Sequence, residues 1–320
     1  MRFERCDEAA GIPARFELTG AGDVAATVVP SAGMNLVSLV VADRELLRLP
    51  LPLGDFMTKP KTGGVPLLHP WANRLRGDRY GFQGAEVDLG SIEGLKRDGG
   101  GMPMHGLLLR FEDWQVSTGD KAGEAWVEGV VEWSDHPALM KAFPFSHRLR
   151  VRWTLRSTAS GAEATCLQVI EADGVDVPAA SGWHPYLAPG GSHETLHLET
   201  PRLQPVSLDA AGLPRRDVSG GLVRQDETDL SGPLAGRSFD DLFETSGEGW
   251  TAAVVAADGA RLEVIADRHW RWMQVYAPEG SDFACIEPML SPTAGLSDGD
   301  VATVPAGTSL EASFTIRFTA

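Results

Sequence analysis

Hydrophobic and polar side chains alternate along much of this chain, and the alternation limits its fold more than any other feature. Over residues 148–156 the even positions are four arginines and a threonine, and the odd positions are Leu149, Val151, Trp153 and Leu155. Successive side chains of a β-strand point to opposite faces, so this period of two predicts a strand with one buried face. Similar runs occupy residues 15–19, 24–29, 35–41, 125–133, 162–171, 251–256, 261–265, 272–276 and 313–319.

Turn-forming residues separate these runs, because the chain contains 36 glycines and 21 prolines. Helix patterns are scarce, and only residues 136–142, followed by Pro144, are expected to form one or two helical turns. Many short strands joined by Gly/Pro turns predict an all-β fold, an antiparallel β-sandwich or barrel with few short helices. Composition is even along the chain and no repeat has a fixed period, so we expect a single domain over residues 1–320.

The net charge limits which partners this protein can bind, and the cysteine content indicates the cellular compartment. The formal net charge is −16, which predicts no nucleic-acid partner and no binding to an anionic membrane surface. Three widely separated cysteines, Cys6, Cys166 and Cys285, suggest reduced thiols and no disulfide framework. The first residues lack an apolar signal segment, and no apolar run reaches the roughly 20 residues of a membrane helix. We therefore expect a cytoplasmic protein, monomeric or homodimeric.

The arginines at 148, 150, 152 and 156 form a basic face on one predicted strand. Such a face can hold phosphate groups, but more often it is exposed to solvent and paired with acidic side chains on a neighbouring strand. The acidic net charge favours the second interpretation.

His193-Glu194-Thr195-Leu196-His197 matches the H-E-x-x-H signature of zinc proteases. That signature requires a helix, where residues four apart share a face. Here Pro189-Gly190-Gly191 precedes the run, and residues 196–199 alternate as a strand. Two histidines four apart in a strand lie about 13 Å from each other, too far to bind one tetrahedral zinc. We therefore predict no zinc-protease site, and nothing in the spacing demands the alternative, a metal site that gathers histidines from different strands.

His184 lies in the hexapeptide Ser181-Gly182-Trp183-His184-Pro185-Tyr186. The following proline favours extended backbone, which predicts that His184 lies at a strand end. An imidazole there can transfer protons near neutral pH while an adjacent aromatic ring such as Trp183 supports a substrate. A core histidine between two aromatic residues is an equally good interpretation of the hexapeptide alone.

Further segments carry polar residues that suit a hydroxyl-rich ligand. Each is common as a turn, a cap or an exposed charge, but their joint occurrence favours a binding site. Glu287 is the most informative, because a carboxylate that closes an apolar strand is costly unless it is solvated, paired or functional. The candidates are Asn73, Arg74, His105, Asp240, Gln274 and Glu287.

The ordered set of these segments resembles the aldose 1-epimerase (galactose mutarotase) family. Residues 73–80 look like that family's N-R-[IL]-x-x-G-x-[FY] segment, and the other segments follow in similar order and spacing nearly to the end of the chain. They are His105-Gly106, His184-Pro185-Tyr186, residues 239–243, Gln274, Glu287-Pro288, Leu296-Ser297 and residues 305–307. The resemblance implies a large antiparallel β-sandwich, the galactose mutarotase-like supersandwich, and a small-molecule monosaccharide as ligand.

The roles of the family carry over by position. The resemblance implies that His184 is the general acid that protonates the ring oxygen and Glu287 the general base that deprotonates the anomeric hydroxyl. It implies substrate binding by Asn73, Arg74, His105, Asp240 and Gln274. Ring opening and closure need one proton removed and one supplied, so no cofactor is expected.

Three departures from the family pattern concern the substrate. Leu107-Leu108-Leu109-Arg110 follows His105-Gly106, which resembles the related hexose-6-phosphate 1-epimerases; Ala188 replaces an asparagine; and Met289 replaces a glutamine. Arg74, Arg76 and Arg110 could together hold a phosphate. We favour a neutral sugar, because Asn73-Arg74 matches the mutarotase pattern more fully. The alternatives are a hexose-6-phosphate 1-epimerase and a non-catalytic carbohydrate-binding sandwich.

Overall fold

Strands dominate the computed structural model, which describes residues 1–9, 11–121 and 123–320. In chain order they are β1 (Arg2–Cys6), β2 (Arg15–Thr19), β3 (Val24–Val29), β4 (Asn35–Val41), β5 (Arg44–Glu45), β6 (Leu67–Leu68), β7 (Arg79–Phe82), β8 (Ala85–Asp88), β9 (Gln115–Lys121), β10 (Glu124–Glu132), β11 (His147–Thr158), β12 (Gly161–Ala172), β13 (Val177–Ala179), β14 (Gly182–Trp183), β15 (Tyr186–Leu187), β16 (His197–Glu199), β17 (Arg202–Pro205), β18 (Thr228–Asp229), β19 (Gly232–Pro233), β20 (Phe239–Glu244), β21 (Trp250–Val255), β22 (Arg261–Ala266), β23 (Trp272–Ala277), β24 (Ala284–Met289), β25 (Ala302–Val304) and β26 (Ser309–Thr319). Each predicted run coincides with one of these strands to within a few residues at its ends.

Helices are few and short, as the sequence predicts. The α-helices are α1 (Leu53–Met57), α2 (Pro137–Ala142) and α3 (Gly295–Asp298), and 3₁₀ turns span Pro30–Ala32, Leu89–Ser91 and Trp133–Asp135. Helix α2 is the predicted helix, with Pro137 in its first turn, where a missing backbone N–H costs nothing. No helix in the described residues is long and apolar enough to cross a bilayer.

Two large antiparallel sheets form the body of the fold. One has nine strands in the order β19-β16-β21-β22-β26-β12-β11-β10-β9, and the other runs β18-β17-β20-β23-β24-β14-β6 with β15 also paired to β24. A five-stranded sheet, β1 to β5, and two strand pairs complete the structure. Together these confirm the predicted all-β antiparallel sandwich.

The core lies where these two sheets face each other. The Trp153 ring from β11 and the Phe314 ring from β26 contact the Trp183 ring from β14, with centroid distances of 5.5 and 5.7 Å. All three rings are almost fully buried. Burying a large apolar side chain stabilises the fold by about 1.5–3 kcal/mol, so the alternation of residues 149–155 holds β11 against the second sheet.

The arginine face of β11 is neutralised by its neighbours, as predicted. Register places Arg148, Arg152 and Arg156 opposite Glu132, Glu128 and Glu124 of β10. The Arg152 Nε–Glu128 Oε2 distance is 2.8 Å, and the Arg148 Nε–Glu132 Oε1 distance is 3.0 Å. This row is a set of cross-strand ion pairs.

The H-E-x-x-H run does not form a helix. His193 lies in a turn, where its Nε2–H donates to the Arg237 carbonyl oxygen at 2.7 Å, while His197 opens strand β16. The physical objection to a zinc-protease site therefore holds in the structure.

Candidate active site

A cavity of about 290 Å³ lies against the sheet that contains β23 and β24. We call it the site cavity. Its walls are Thr62, Asn73, Arg74, Lys96, Met104, His105, His184, Tyr186, Asp240, Tyr276 and Glu287. Six of the eight predicted site residues line it, four of the predicted binding residues and both predicted catalytic residues, although the chain separates Asn73 from Glu287 by more than two hundred residues.

Strand register brings the acidic wall together. Gln274 of β23 lies opposite Glu287 of β24, and Tyr276 lies opposite Asp240 of β20. Opposite residues in an antiparallel pair share a sheet face. Met273 and Val275, which alternate with them, pack into the main core. The period of two therefore makes one face of this sheet structural and leaves the other for the site.

Strand β24 places Glu287 inside the sheet. Glu287 is followed by Pro288 and Met289 within the same strand, so the carboxylate is not at the strand end that the sequence suggested. Its side chain is 1% exposed. Burial at this depth is expensive for a carboxylate unless a partner group is present.

His184 lies between the short strands β14 and β15, at a strand end as predicted. Its backbone N–H donates to the Pro66 carbonyl at 3.2 Å. Its ring stacks on the Tyr186 ring with a 4.5 Å centroid distance and a 5° interplanar angle. The Tyr186 hydroxyl lies 2.7 Å from the Thr62 hydroxyl. These contacts fix the imidazole plane.

His184 and Glu287 meet across the cavity. The distance from His184 Nε2 to Glu287 Oε1 is 3.3 Å. The remaining atoms of the pair, His184 Nδ1 and Glu287 Oε2, are buried without a hydrogen-bond partner among the residues that the structure describes. Both groups therefore retain unused hydrogen-bonding capacity at the site.

The environment favours the neutral forms of both groups. Burial raises the pKa of Glu287 well above its ordinary 4.5, and the Asp240 carboxylate adds to this while Arg74 opposes it. Burial lowers the pKa of His184 from 6.5 to about 3, and the nearby Lys96 ammonium acts in the same direction. A protonated carboxyl beside a neutral imidazole contains the same single proton as a carboxylate beside an imidazolium, so the pair titrates as a unit.

Two loops contribute further residues to the cavity wall. Asn73 and His105 both adopt left-handed backbone conformations, with φ of 49° and 64°, which are uncommon for residues other than glycine. The His105 N–H donates to the Asn73 carbonyl at 2.9 Å. Strained conformations of this kind persist where the surroundings hold them and concentrate at functional sites.

The remaining predicted residues are held by partners near the cavity. Arg74 Nε donates to Asp98 Oδ2 at 2.8 Å. Gln274 Nε2 donates to Asp240 Oδ1 at 2.8 Å, which places Gln274 behind the Asp240 carboxylate. The Gln274 Oε1 atom is buried and has no partner among the described residues.

The prediction for Trp183 is wrong. Its side chain is fully buried in the core, and Nε1 donates to Gln168 Oε1 at 2.9 Å. Consecutive residues of extended backbone point to opposite faces, so a chain that presents His184 to the cavity directs Trp183 away from it. The Tyr186 and Tyr276 rings provide the aromatic surface instead.

Sequence reasoning also missed Thr62, Lys96, Met104, Tyr186 and Tyr276 as cavity residues. Tyr276 had a usable signal, since it lies two residues after Gln274 on the same strand face. Tyr186 likewise follows His184 by two positions. Thr62 and Lys96 lie in loops with no periodic pattern, so only the folded structure reveals them.

Comparison with known proteins agrees with this geometry. The family model described as aldose 1-epimerase matches residues 16–317. The chain belongs to the aldose 1-epimerase family. The match covers every residue of the site cavity and nearly all of both large sheets.

Relatives extend the comparison. The uncharacterized protein YihR of Escherichia coli K12 is 26% identical over 286 residues, covering 85% of this chain and 86% of YihR. A galactose mutarotase-like protein from Clostridium acetobutylicum superposes with a TM-score of 0.77 at 18% identity, covering 99% and 98% of the two chains. Galactose 1-epimerase from Lactobacillus acidophilus superposes with a TM-score of 0.71 at 15% identity, covering 99% of this chain and 98% of that one. These two structures show the shared fold.

Proposed function

We propose that this member of the aldose 1-epimerase family interconverts the α and β anomers of an aldose by opening and closing its ring. The observation that carries the proposal is the His184–Glu287 contact: two proton-transfer groups 3.3 Å apart, both buried, in a cavity of about 290 Å³. Family membership supports the reaction class.

The reaction needs two coordinated proton transfers. Glu287 removes the proton from O1, the O1 electrons form the aldehyde, the C1–O5 bond breaks, and His184 protonates O5. Rotation about C1–C2 exposes the other carbonyl face, and reversed transfers close the ring as the opposite anomer. One proton on the His184–Glu287 pair is sufficient, because the sugar returns a proton to Glu287 as it takes one from His184.

The same pair explains how a buried site can work in both directions. Its neutral form, favoured by burial, and its charged form differ only in which group holds the shared proton. A sugar whose hydroxyl groups separate the two side chains stabilises the charged form by hydrogen bonding to both. Hydrogen bonding of both groups to the sugar thus offsets the preference of the buried site for the neutral pair, and proton transfer can run in both directions.

The proposed binding residues offer both donors and acceptors to sugar hydroxyls. Asn73, Arg74 and His105 supply donors on one wall, and Asp240 supplies an acceptor on the other, with Gln274 fixing its position. Such convergent polar groups beside aromatic rings are typical of sugar sites.

Neither alternative is supported in the form in which the sequence suggested it. For the phosphate hypothesis, Arg76 is bound by both oxygens of Asp298, and Arg110 donates to the backbone carbonyls of Phe56, Leu109 and Lys61. The three arginines therefore do not converge on one phosphate. For the non-catalytic hypothesis, a sugar-binding protein has no use for two buried proton-transfer groups in contact.

Substitution of the pair tests the proposal. His184→Ala and Glu287→Ala should each lower the rate of anomer exchange by about 10²–10⁴ while sugar binding persists. Exchange is measured by NMR on glucose, galactose and glucose 6-phosphate. His197→Ala and Glu194→Gln, which change exposed residues, serve as controls. An undiminished rate in either cavity variant contradicts the assigned roles.

A further inference from the structure

A second cavity, of about 660 Å³, adjoins the site cavity. The two share Lys96. At two other points, residues adjacent in the sequence line different cavities. Lys61 faces the larger cavity and Thr62 the smaller one, and likewise Gly106 faces the larger cavity and His105 the smaller one. Lys96 therefore lies between the site cavity and the second cavity. We call it the lysine cavity, after Lys59, Lys61 and Lys96.

Positive charge is gathered around one tripeptide in this cavity. Arg110 donates to the backbone carbonyls of Lys59 at 3.4 Å and Lys61 at 3.0 Å. Lys96 donates to the intervening Pro60 carbonyl at 2.9 Å. Two cations thus hold the backbone of a segment that presents two more, and all four line the same cavity.

These cations lack acidic partners. Among the residues that the structure describes, no carboxylate lies within 4 Å of Lys59, Lys61, Lys96 or Arg110, whereas Arg74 and Arg97 nearby are each paired with an aspartate. Glu93 is the one acidic residue in the cavity lining, and it is exposed. Three of the five lysines in a chain of net charge −16 face this cavity.

Within this group, the half-buried Lys96 and Arg110 repel each other. Burial lowers the pKa of Lys96, and the Arg110 guanidinium adds to the effect, because like charges in a partly dry site repel. The lining also includes Leu107, Leu109 and Phe111. A mixed apolar and cationic surface suits an acidic group that belongs to an organic molecule.

We propose that the lysine cavity binds an acidic group that the aldose carries on a carbon other than C1, and that Lys96 is the residue that selects it. The acidic group is a phosphate, sulfate, sulfonate or carboxylate, all of which accept charge-assisted hydrogen bonds from ammonium groups. This inference rests on the proposed function, and it replaces the neutral sugar that the sequence favoured with an anionic one.

The test compares acidic and neutral sugars in the anomer-exchange assay. Wild-type kcat/KM should be higher for glucose 6-phosphate or glucuronate than for glucose, and the better of the two identifies a phosphate-like or a carboxylate group. Lys96→Gln should lower the acidic-to-neutral ratio of kcat/KM about tenfold or more. The Lys59→Gln, Lys61→Gln double variant, which changes exposed side chains, should lower it further in the same direction.

Lys141→Gln is the matched control, since Lys141 is exposed on α2 but does not line the cavity; its ratio should equal that of wild type. A wild-type preference for glucose, or an unchanged ratio in Lys96→Gln, overturns the inference and leaves the epimerase proposal intact. If no sugar is turned over, the epimerase proposal fails. Calorimetric titration then decides the inference: tighter binding of the acidic sugars, weakened by Lys96→Gln, supports it, and equal binding overturns it.

Discussion

Asp240 influences the proposed base without touching the proton that moves. Its carboxylate accepts a hydrogen bond from Gln274, and its charge helps to raise the pKa of Glu287. A negative charge near a buried carboxyl group resists the ionisation of that group. Asp240 is therefore expected to have a second effect beyond its proposed binding of a sugar hydroxyl, and the two effects are separable by pH.

Asp240→Asn should shift the acid limb of the kcat/KM profile to lower pH. The substitution removes a negative charge, so Glu287 ionises more readily and its base form persists in more acidic solution. The measurement is anomer exchange across pH for wild type and variant. Asp241→Asn is the control, because alternation directs residue 241 to the other sheet face. An acid limb of the Asp240→Asn profile that stays in place or moves to higher pH contradicts this role of Asp240.

The loop from Met104 to Leu108 depends on a close approach at Gly106. A Cβ atom at Gly106 would lie 2.2 Å from the His69 carbonyl oxygen, and its φ is +68°. Gly101 has a similar φ of +85°, but a Cβ there meets nothing within 4 Å. Comparing alanine substitutions at the two glycines therefore distinguishes the cost of left-handed backbone from the cost of steric overlap.

Gly106→Ala should destabilise the protein more than Gly101→Ala does. Left-handed backbone destabilises both variants by about 1–2 kcal/mol. In Gly106→Ala, overlap with His69 adds roughly 1–3 kcal/mol. Gly106→Ala should also reduce anomer exchange, since His105 is displaced from the site cavity. Urea unfolding followed by tryptophan fluorescence measures the difference. Equal destabilisation of the two variants shows that the close contact does not matter.

Long strands could be predicted because their information is local. Alternation over five to twelve residues located β3, β11 and β26 and the buried faces they present. Strands of two residues, such as β14 and β15, have no period to detect. Their positions depend on pairing with β24, which is distant in the chain.

The same distinction applies to the site. Glu287 was found because a carboxylate that closes an apolar strand is costly unless it has a partner or a function, and Gln274 was found as a polar residue on the predicted strand 272–276. Lys96 gave no such signal, since a lysine in a loop is ordinarily exposed. Its importance comes from two neighbours, Pro60 and Arg110, that tertiary structure brings to it.

Across the whole molecule, each large sheet presents one face to the shared core and uses its other face differently. The outer face of the nine-stranded sheet carries paired charges such as Arg152 and Glu128. The outer face of the second sheet carries Asp240, Gln274 and Glu287. The main core includes residues from Leu18 to Phe318, so the rigid support for the site comes from nearly the full length of the chain.

The central claim is that a single proton, shared by His184 and Glu287, opens and closes the sugar ring with every C–H bond left intact. Two-dimensional exchange NMR of a sugar incubated with the protein in D₂O tests this most directly. The account predicts cross-peaks between the α and β anomers, at rates above the uncatalysed reaction, with undiminished C1–H and C2–H signals. Absence of catalysed exchange, or replacement of the C1 or C2 hydrogen by deuterium, would contradict it.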